Sequence, residues 1–172
     1  MEVRRLTPAD YDSFYGLRLA GLEEFPITFA TDAQAWRSAS KETIERLLVN
    51  SYEREDTPIL GAWEEGELVG MVGLNRDLRP SVAHKSTLWG FYVAANYRQQ
   101  GVGLNLLNEL FSLARTISGL RQMRAVVNVE NEAALKLLMK VGFEQFGREP
   151  DAKKVNGILY DQIYLWYRLM GE

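Results

Sequence analysis

The sequence predicts a mixed α/β fold, a mixed sheet with helices packed on it. Three observations carry this. Apolar residues make up 47% and charged residues 25% of the 172 residues, the balance of a globular chain and not of a disordered or fibrous one. The hydrophobic period alternates along the chain between the strand and helix values. No low-complexity segment, internal repeat or Pro/Gly/Ser linker interrupts it, so one domain is expected over residues 1–172.

Glu2 to Leu6 reads as a short strand. Thr7-Pro8-Ala9-Asp10 then supplies a capping Thr, a Pro at the first helical position and an acidic first turn. Phe14, Leu17, Leu22 and Phe25 share one face of the helix that follows, and Pro26 ends it. Ser40 starts a second helix, with Ile44, Leu47 and Leu48 as its apolar positions. Ile59 to Glu64 and Glu67 to Leu74 are strands joined by a Glu65-Gly66 hairpin turn. Thr87 to Val93 is a strand rich in aromatic and β-branched residues. Leu104, Leu107, Leu110, Phe111, Ala114 and Ile117 recur at helical spacing, which places a helix over Gly103 to Ser118. Met123 to Val129 is a strand, Asn131 to Val141 a short helix with Gly142 at its exit, and Phe143 to Arg148 and Ile158 to Leu169 are closing strands. The order is βααβββαβαββ.

Composition excludes several kinds of chemistry. With 20 Lys+Arg against 23 Asp+Glu the net charge is −3, which argues against a protein that wraps nucleic acid. Cys is absent, which removes disulfides, thiolate metal sites and cysteine nucleophiles. A lone His removes zinc sites built on several histidines, and no metal is expected. No apolar run is long enough for a membrane helix and the N-terminus lacks a signal-peptide core, so a soluble cytoplasmic protein is expected, without membrane partners.

The segment richest in chemistry is Phe91-Tyr92-Val93-Ala94-Ala95-Asn96-Tyr97-Arg98-Gln99-Gln100-Gly101-Val102-Gly103-Leu104. A strand runs out, a polar turn follows, and a glycine pair opens a long helix. The first amides of that helix have no intrahelical partner and lie at its positive end. Gly101 and Gly103 keep side chains away from them, which suits a phosphate or pyrophosphate. A P-loop needs Gly-Lys-Ser/Thr here, and a dinucleotide fingerprint needs a third glycine where Leu106 stands, so both nucleotide readings fail. The bland alternative is that the glycines only allow close strand–helix packing.

Arg98-Gln99-Gln100-Gly101-Val102-Gly103 resembles the Arg/Gln-x-x-Gly-x-Gly/Ala signature of the GNAT (Gcn5-related) N-acetyltransferases, and Phe91-Tyr92-Val93 resembles that family's fourth strand. Downstream, Asn131-Glu132-Ala133-Ala134-Leu135 and Lys140-Val141-Gly142-Phe143 resemble its Asn-x-x-Ala…Lys-x-Gly-Phe segment. The resemblance covers roughly residues 59–169 well and the first two helices loosely. It implies a central mixed, mostly antiparallel sheet flanked by helices, with the fourth and fifth strands splayed apart. The acyl-CoA-binding core would span about 59–170, and residues 7–50 would form acceptor-side helices. It implies acetyl-CoA as acyl donor, with its pyrophosphate on the amides of Gln99, Gln100, Gly101, Val102, Gly103 and Leu104. The pantetheine arm would lie along Phe91, Tyr92 and Val93 like an added strand. Asn131 and Ala134 would meet the cofactor, and Lys136 and Arg98 are candidates for its outer phosphates or plain solvated charges.

The implied reaction is direct attack of a primary amine, on a small molecule or peptide, at the thioester carbonyl. The backbone N–H of Tyr92 or Val93 is the oxyanion donor the resemblance suggests. Where the family often carries a Tyr acid, this chain has Leu138, which has no proton to give. Tyr92, Tyr160 and Tyr164 are substitutes by residue type, and thiolate departure without an acid is tolerable for a pKa of roughly 8.5. Glu23, Glu24 and His84 are the candidate bases, though each also fits an ordinary exposed position. For the acceptor, Phe29 and Trp36 offer apolar walls or core residues, and Glu24, Asp32 and Asp161 could hold an ammonium. The mild acidity leans toward a cationic acceptor. Polyamine, amino acid, aminoglycoside and protein N-terminus stay open. Another acyl donor, or an amino-acid-type acceptor as part of antibiotic resistance, is a rival within enzymes. A non-catalytic acyl-CoA-binding module of the same fold is the rival outside them, and the leucine at 138 keeps it open. The long last strand could pair two copies at a sheet edge.

Overall fold

A computed structural model describes residues 1–169. Residues 170–172, at the end of the expected domain and of its 59–170 core, lie outside the described residues. The elements are β1 (Glu2–Arg5), α1 (Tyr11–Glu24), α2 (Ala33–Ser38), α3 (Lys41–Glu53), β2 (Ile59–Glu64), β3 (Glu67–Arg76), β4 (Lys85–Val93), α4 (Val102–Thr116), β5 (Gln122–Asn128), α5 (Glu132–Lys140), β6 (Glu144–Val155) and β7 (Ile158–Arg168). The strands form one sheet in the order β1-β2-β3-β4-β5-β7-β6. All neighbours are antiparallel except β4 and β5.

Sequence and structure differ at two elements. Helix α2 lies in a stretch without a helical apolar repeat. It is too short to show one, and it forms because Asp32 caps it, accepting from the Ala35 N–H at 2.7 Å. Strand β6 runs on to Val155, past the expected end at Arg148. Pro150 suggests a stop there, but the strand sits at the sheet edge and its register shifts between Glu149 and Lys153, where a proline is tolerated.

Each face of the sheet buries its own core. On one face α4 and α5 bury Leu106, Leu107, Leu110 and Leu138 against β2–β5 and β7. On the other α1 and α3 bury Phe14, Leu22, Ile44 and Leu48. The sheet is not closed between them. β4 and β5 pair only at Lys85–Gln122, Ser86–Met123 and Thr87–Arg124, then separate. β4 also places two residues, Gly90 and Phe91, where β3 has Val72 alone, and Gly90 sits in this bulge at φ +64°, a conformation that favours glycine. The bulge bends β4 as it leaves β5, so the strand's far half has a free backbone edge.

Helix α1 is tied down at its start. Asp10 is buried and accepts from Arg4 Nη1 at 2.8 Å and Nη2 at 2.7 Å, and from the Thr7 N–H at 2.7 Å. Hydrogen bonds from Arg4 hold its carboxyl down to about 2. A folded value below the unfolded one means that this stabilisation is complete above the ordinary value of 3.8 and is lost as pH falls toward 2. Asp10→Asn is expected to cost about 1 to 2 kcal/mol at neutral pH, discounted because Arg4 is partly exposed. Urea titrations should show the loss at neutral pH and a flatter acid limb in the variant.

Candidate active site

A cleft of about 730 Å³ opens where β4 and β5 part, a size common for small-molecule sites. Phe91, Tyr92 and Val93 of β4 form one wall. Arg98, Gln99, Gly101, Val102, Gly103 and Leu104 form the turn and first residues of α4. Asn131 and Ala134 stand opposite at the start of α5, and Phe25, Ile27, Thr28 and Phe29 close the other end. Most residues expected at the cofactor site therefore line one cavity. Gln100 and Lys136 do not: Gln100 Nε2 donates to the Asn96 carbonyl, and Lys136 pairs with Glu132 at 2.8 Å on the exposed face of α5. Lys140 lines the cleft instead.

The two glycines of the turn act differently. Gly101 has φ +84°, and a methyl group there would meet nothing within 4 Å, so open space stands before the positive end of α4. A methyl at Gly103 would lie 3.1 Å from both Leu137 and Phe91, so this glycine serves close packing. Asn131 caps α5, its Oδ1 accepting from the Ala134 N–H at 3.2 Å.

Along β4 the backbone direction is fixed by its partner. The Ala94 N–H donates to the Val69 carbonyl at 2.9 Å, toward β3. Alternation then sends the Tyr92 amide toward β3 and the Val93 amide toward the cleft. The Val93 carbonyl faces the same way and accepts from Arg98 Nε at 2.9 Å.

Arg98 is held by more than this carbonyl. Its Nη1 and Nη2 donate to Glu24 Oε1 and Oε2 at 2.7 and 2.6 Å, and the Tyr92 hydroxyl donates to Glu24 Oε2 at 2.8 Å. Hydrogen bonds from Arg98 hold the Glu24 carboxyl below the usual carboxylate range. Burial, reinforced by Glu24, pushes the Tyr92 phenol up to about 12. A triply bonded carboxylate is a weak base, and a phenol at that value is a weak acid. Glu24→Gln is accordingly expected to keep kcat within about tenfold, whereas loss of a true general base costs about 100-fold or more. Single-turnover rates of the two proteins distinguish these outcomes.

The other expected residues lie elsewhere. Trp36 is buried between Phe14 and Tyr15, and its Nε1 donates to the Tyr15 carbonyl at 3.3 Å, so it is a core residue and not a cleft wall. Phe29 is both buried and part of the wall. Asp161 accepts from Arg148 at 2.6 Å and from the Asp151 N–H at 2.9 Å. Tyr160 sits on β7 opposite Lys153, and Tyr164 donates to Glu149. Glu23 pairs with Arg37. His84 precedes β4, so the strand's length, roughly 26 Å at about 3.3 Å per residue, separates it from Tyr92. Leu138 packs in the core, and its neighbour Leu137 reaches the cleft.

The model of the acetyltransferase (GNAT) family matches residues 22–143. The chain belongs to the GNAT acetyltransferase family. A Pseudomonas aeruginosa relative, named as an L-methionine sulfoximine/L-methionine sulfone acetyltransferase, is 29% identical over 163 residues, 94% of this chain and 86% of that protein. An uncharacterised Mycobacterium leprae protein is 34% identical over 145 residues, 84% of this chain, and the match spans only 35% of that longer protein. A GNAT acetyltransferase structure from Streptococcus pneumoniae superposes with a TM-score of 0.88 at 24% identity, covering 97% of this chain and 98% of the other. A putative acetyltransferase from Salmonella typhimurium, solved with acetyl-CoA, superposes at 0.86 with 18% identity, covering 100% and 95%. These likenesses place the splayed sheet among GNAT folds.

The residues present fit acetyl-CoA as a GNAT donor. The space before Gly101 is open and large enough for an anion such as a pyrophosphate, and the unpaired edge of β4 could pair with an extended amide-bearing arm. Among the described residues no group of His, Cys, Asp and Glu side chains could hold a metal ion. No helix among them is long and apolar enough to cross a membrane.

Proposed function

We propose that this chain is an acetyl-CoA-dependent N-acetyltransferase that moves an acetyl group directly to a primary amine of a small molecule or peptide, acting as one cytoplasmic domain. The splayed β4–β5 cleft, with an open helix N-terminus at one end and an aromatic-lined mouth at the other, carries the reading. The amides of Gln99 to Leu104 would hold the pyrophosphate, and Phe91 to Val93 the pantetheine arm. Lys140 has no carboxylate partner among the described residues and stands ready for an outer phosphate. Arg98, engaged by Glu24, joins the cofactor turn to the acceptor-side helix.

Bound acetyl-CoA supplies an activated thioester. The Val93 N–H, sent toward the cleft by alternation from Ala94, would meet the charge that develops on the carbonyl oxygen. The new N–C bond forms as the C–S bond breaks, the amine proton passes to solvent, and CoA leaves as thiolate. With Glu24 and Tyr92 engaged by each other and by Arg98, the acceptor reacts in its neutral fraction. The rate should therefore rise with pH up to the acceptor's own pKa. Absence of Cys removes a thiol acyl-enzyme, which makes direct transfer with both substrates bound the economical route.

The test is release of free CoA from acetyl-CoA, read with a thiol reagent across a panel of amines, with initial-velocity patterns. Amine-dependent release with intersecting double-reciprocal lines supports the reading. Tight acetyl-CoA binding without amine-dependent release would favour the sensing module.

A further inference from the structure

We infer that Arg18 is an acceptor-binding residue, and that it receives the carboxylate of a primary amine of amino-acid type. This deepens the transferase reading above and rests on it. Arg18 lies on α1, only 6% exposed, and its Nε and Nη1 are buried without a hydrogen-bond partner. Buried guanidinium donors are almost always met, because leaving them unmet is costly. Here aromatic rings take up part of the charge. The guanidinium carbon stands 4.3 Å from the Phe29 ring centroid and 5.8 Å from that of Trp89.

The surroundings aim this group toward the cleft. Phe29 is itself a cleft wall, so the guanidinium lies one ring behind the acceptor end. On the strand side it faces Gly90, where a methyl group would come within 3.6 Å of Nη1. The glycine of the β4 bulge lets the strand close over the guanidinium, with the Met71 methyl also 3.2 Å from that point, so Arg18 lies covered beside the wall residue Phe91. The Phe29 ring is what separates the fork from the cleft, so the inference requires that ring to turn aside when an acceptor binds.

The charge balance at this end points the same way. Glu24 is taken by Arg98 and Tyr92, Asp161 by Arg148 and the Asp151 amide, and Asp32 by the Ala35 amide. Each of these is already engaged, as is Glu132 by Lys136, which leaves Glu130 as the cleft carboxylate open to an ammonium. Among the described residues at this end, Arg18 and Lys153 have no carboxylate partner. The Lys153 Nζ donates to the carbonyls of Ile27, at 2.8 Å, and Phe29. Phe29 therefore sits between two uncompensated positive charges. Burial lowers the Arg18 pKa to about 10, which leaves it charged at neutral pH. A planar fork with free donors matches a carboxylate in both charge and shape.

The test uses matched acceptors in the thiol-release assay: L-amino acids and methionine sulfone, each beside its amide and its decarboxylated amine. Wild type should prefer the carboxylate member by about 10- to 100-fold in kcat/KM, the range of a charged hydrogen bond. Arg18→Met should remove that preference through KM while leaving acetyl-CoA affinity unchanged. It should also raise Tm, because an unmet buried charge has gone. Arg18→Lys should fall between. Equal use of carboxylate-free amines by wild type, or an Arg18→Met variant that keeps the preference, overturns the inference and leaves the transferase standing. Silence toward every amine despite acetyl-CoA binding overturns both.

Discussion

Gly101→Asp is expected to abolish acetyl-CoA binding while leaving the fold intact. The residue caps α4, and the space before it is open, so the new side chain creates no clash. Its effect is electrostatic. A carboxylate about 4 Å from a phosphate costs about 4 kcal/mol under surface-like screening. Salt weakens this, so a loss of about 100-fold or more in Kd is the expected result. The left-handed backbone at φ +84° adds a strain that Asp and Asn share. Gly101→Asn therefore isolates the charge and should stay within about tenfold of wild type, the allowance for that shared strain. Calorimetric titration of acetyl-CoA into the three proteins measures both effects. An unchanged Kd in Gly101→Asp would mean that the pyrophosphate lies elsewhere.

Leu106→Ala should do the reverse. Leu106 is fully buried on α4 and reaches β3, where a methyl at Gly70 would come within 3.0 Å of it. Its removal leaves a cavity between the helix that carries the turn and the sheet beneath. Such substitutions cost about 3 to 5 kcal/mol when the surroundings cannot collapse. Urea unfolding should show that loss, and the folded fraction should still bind acetyl-CoA with a Kd close to wild type. A variant of normal stability would mean that α4 is less tightly seated than its packing indicates.

The parts of the fold that could be read from the sequence are those encoded locally. Glu65-Gly66 marks the β2–β3 turn because both residues take positive φ there. Ser40 marks α3, and its Oγ accepts from the Thr43 N–H at 3.2 Å. Helix α2 was not legible, since six residues cannot show a period. Its signal was Asp32 as a cap. The full β6–β7 hairpin turns at Asn156-Gly157, both at positive φ, a turn pair that the sequence carries locally.

The site divides in the same way. Phe91 to Val93, the Gly101 turn and Asn131 lie in short motifs, and all line the cleft. Lys140 stood inside a readable motif too. The Glu24–Arg98 pair joins residues 74 apart, and nothing local announces it. Arg18 sits among the apolar positions of α1 and reads as a helix charge until the sheet covers it. Trp36 shows the converse, an aromatic of either role that tertiary packing places in the core.

The central claim is that one cleft, between the parted halves of β4 and β5, holds acetyl-CoA in position for direct transfer. A crystal structure of the protein with bound CoA tests it most directly. The account predicts the pyrophosphate on the amides of Gln99 to Leu104 and the pantetheine arm hydrogen-bonded to the backbone of Val93, with the thiol toward Phe29. Density for CoA outside this cleft, or an arm that makes no backbone contact with β4, would contradict it.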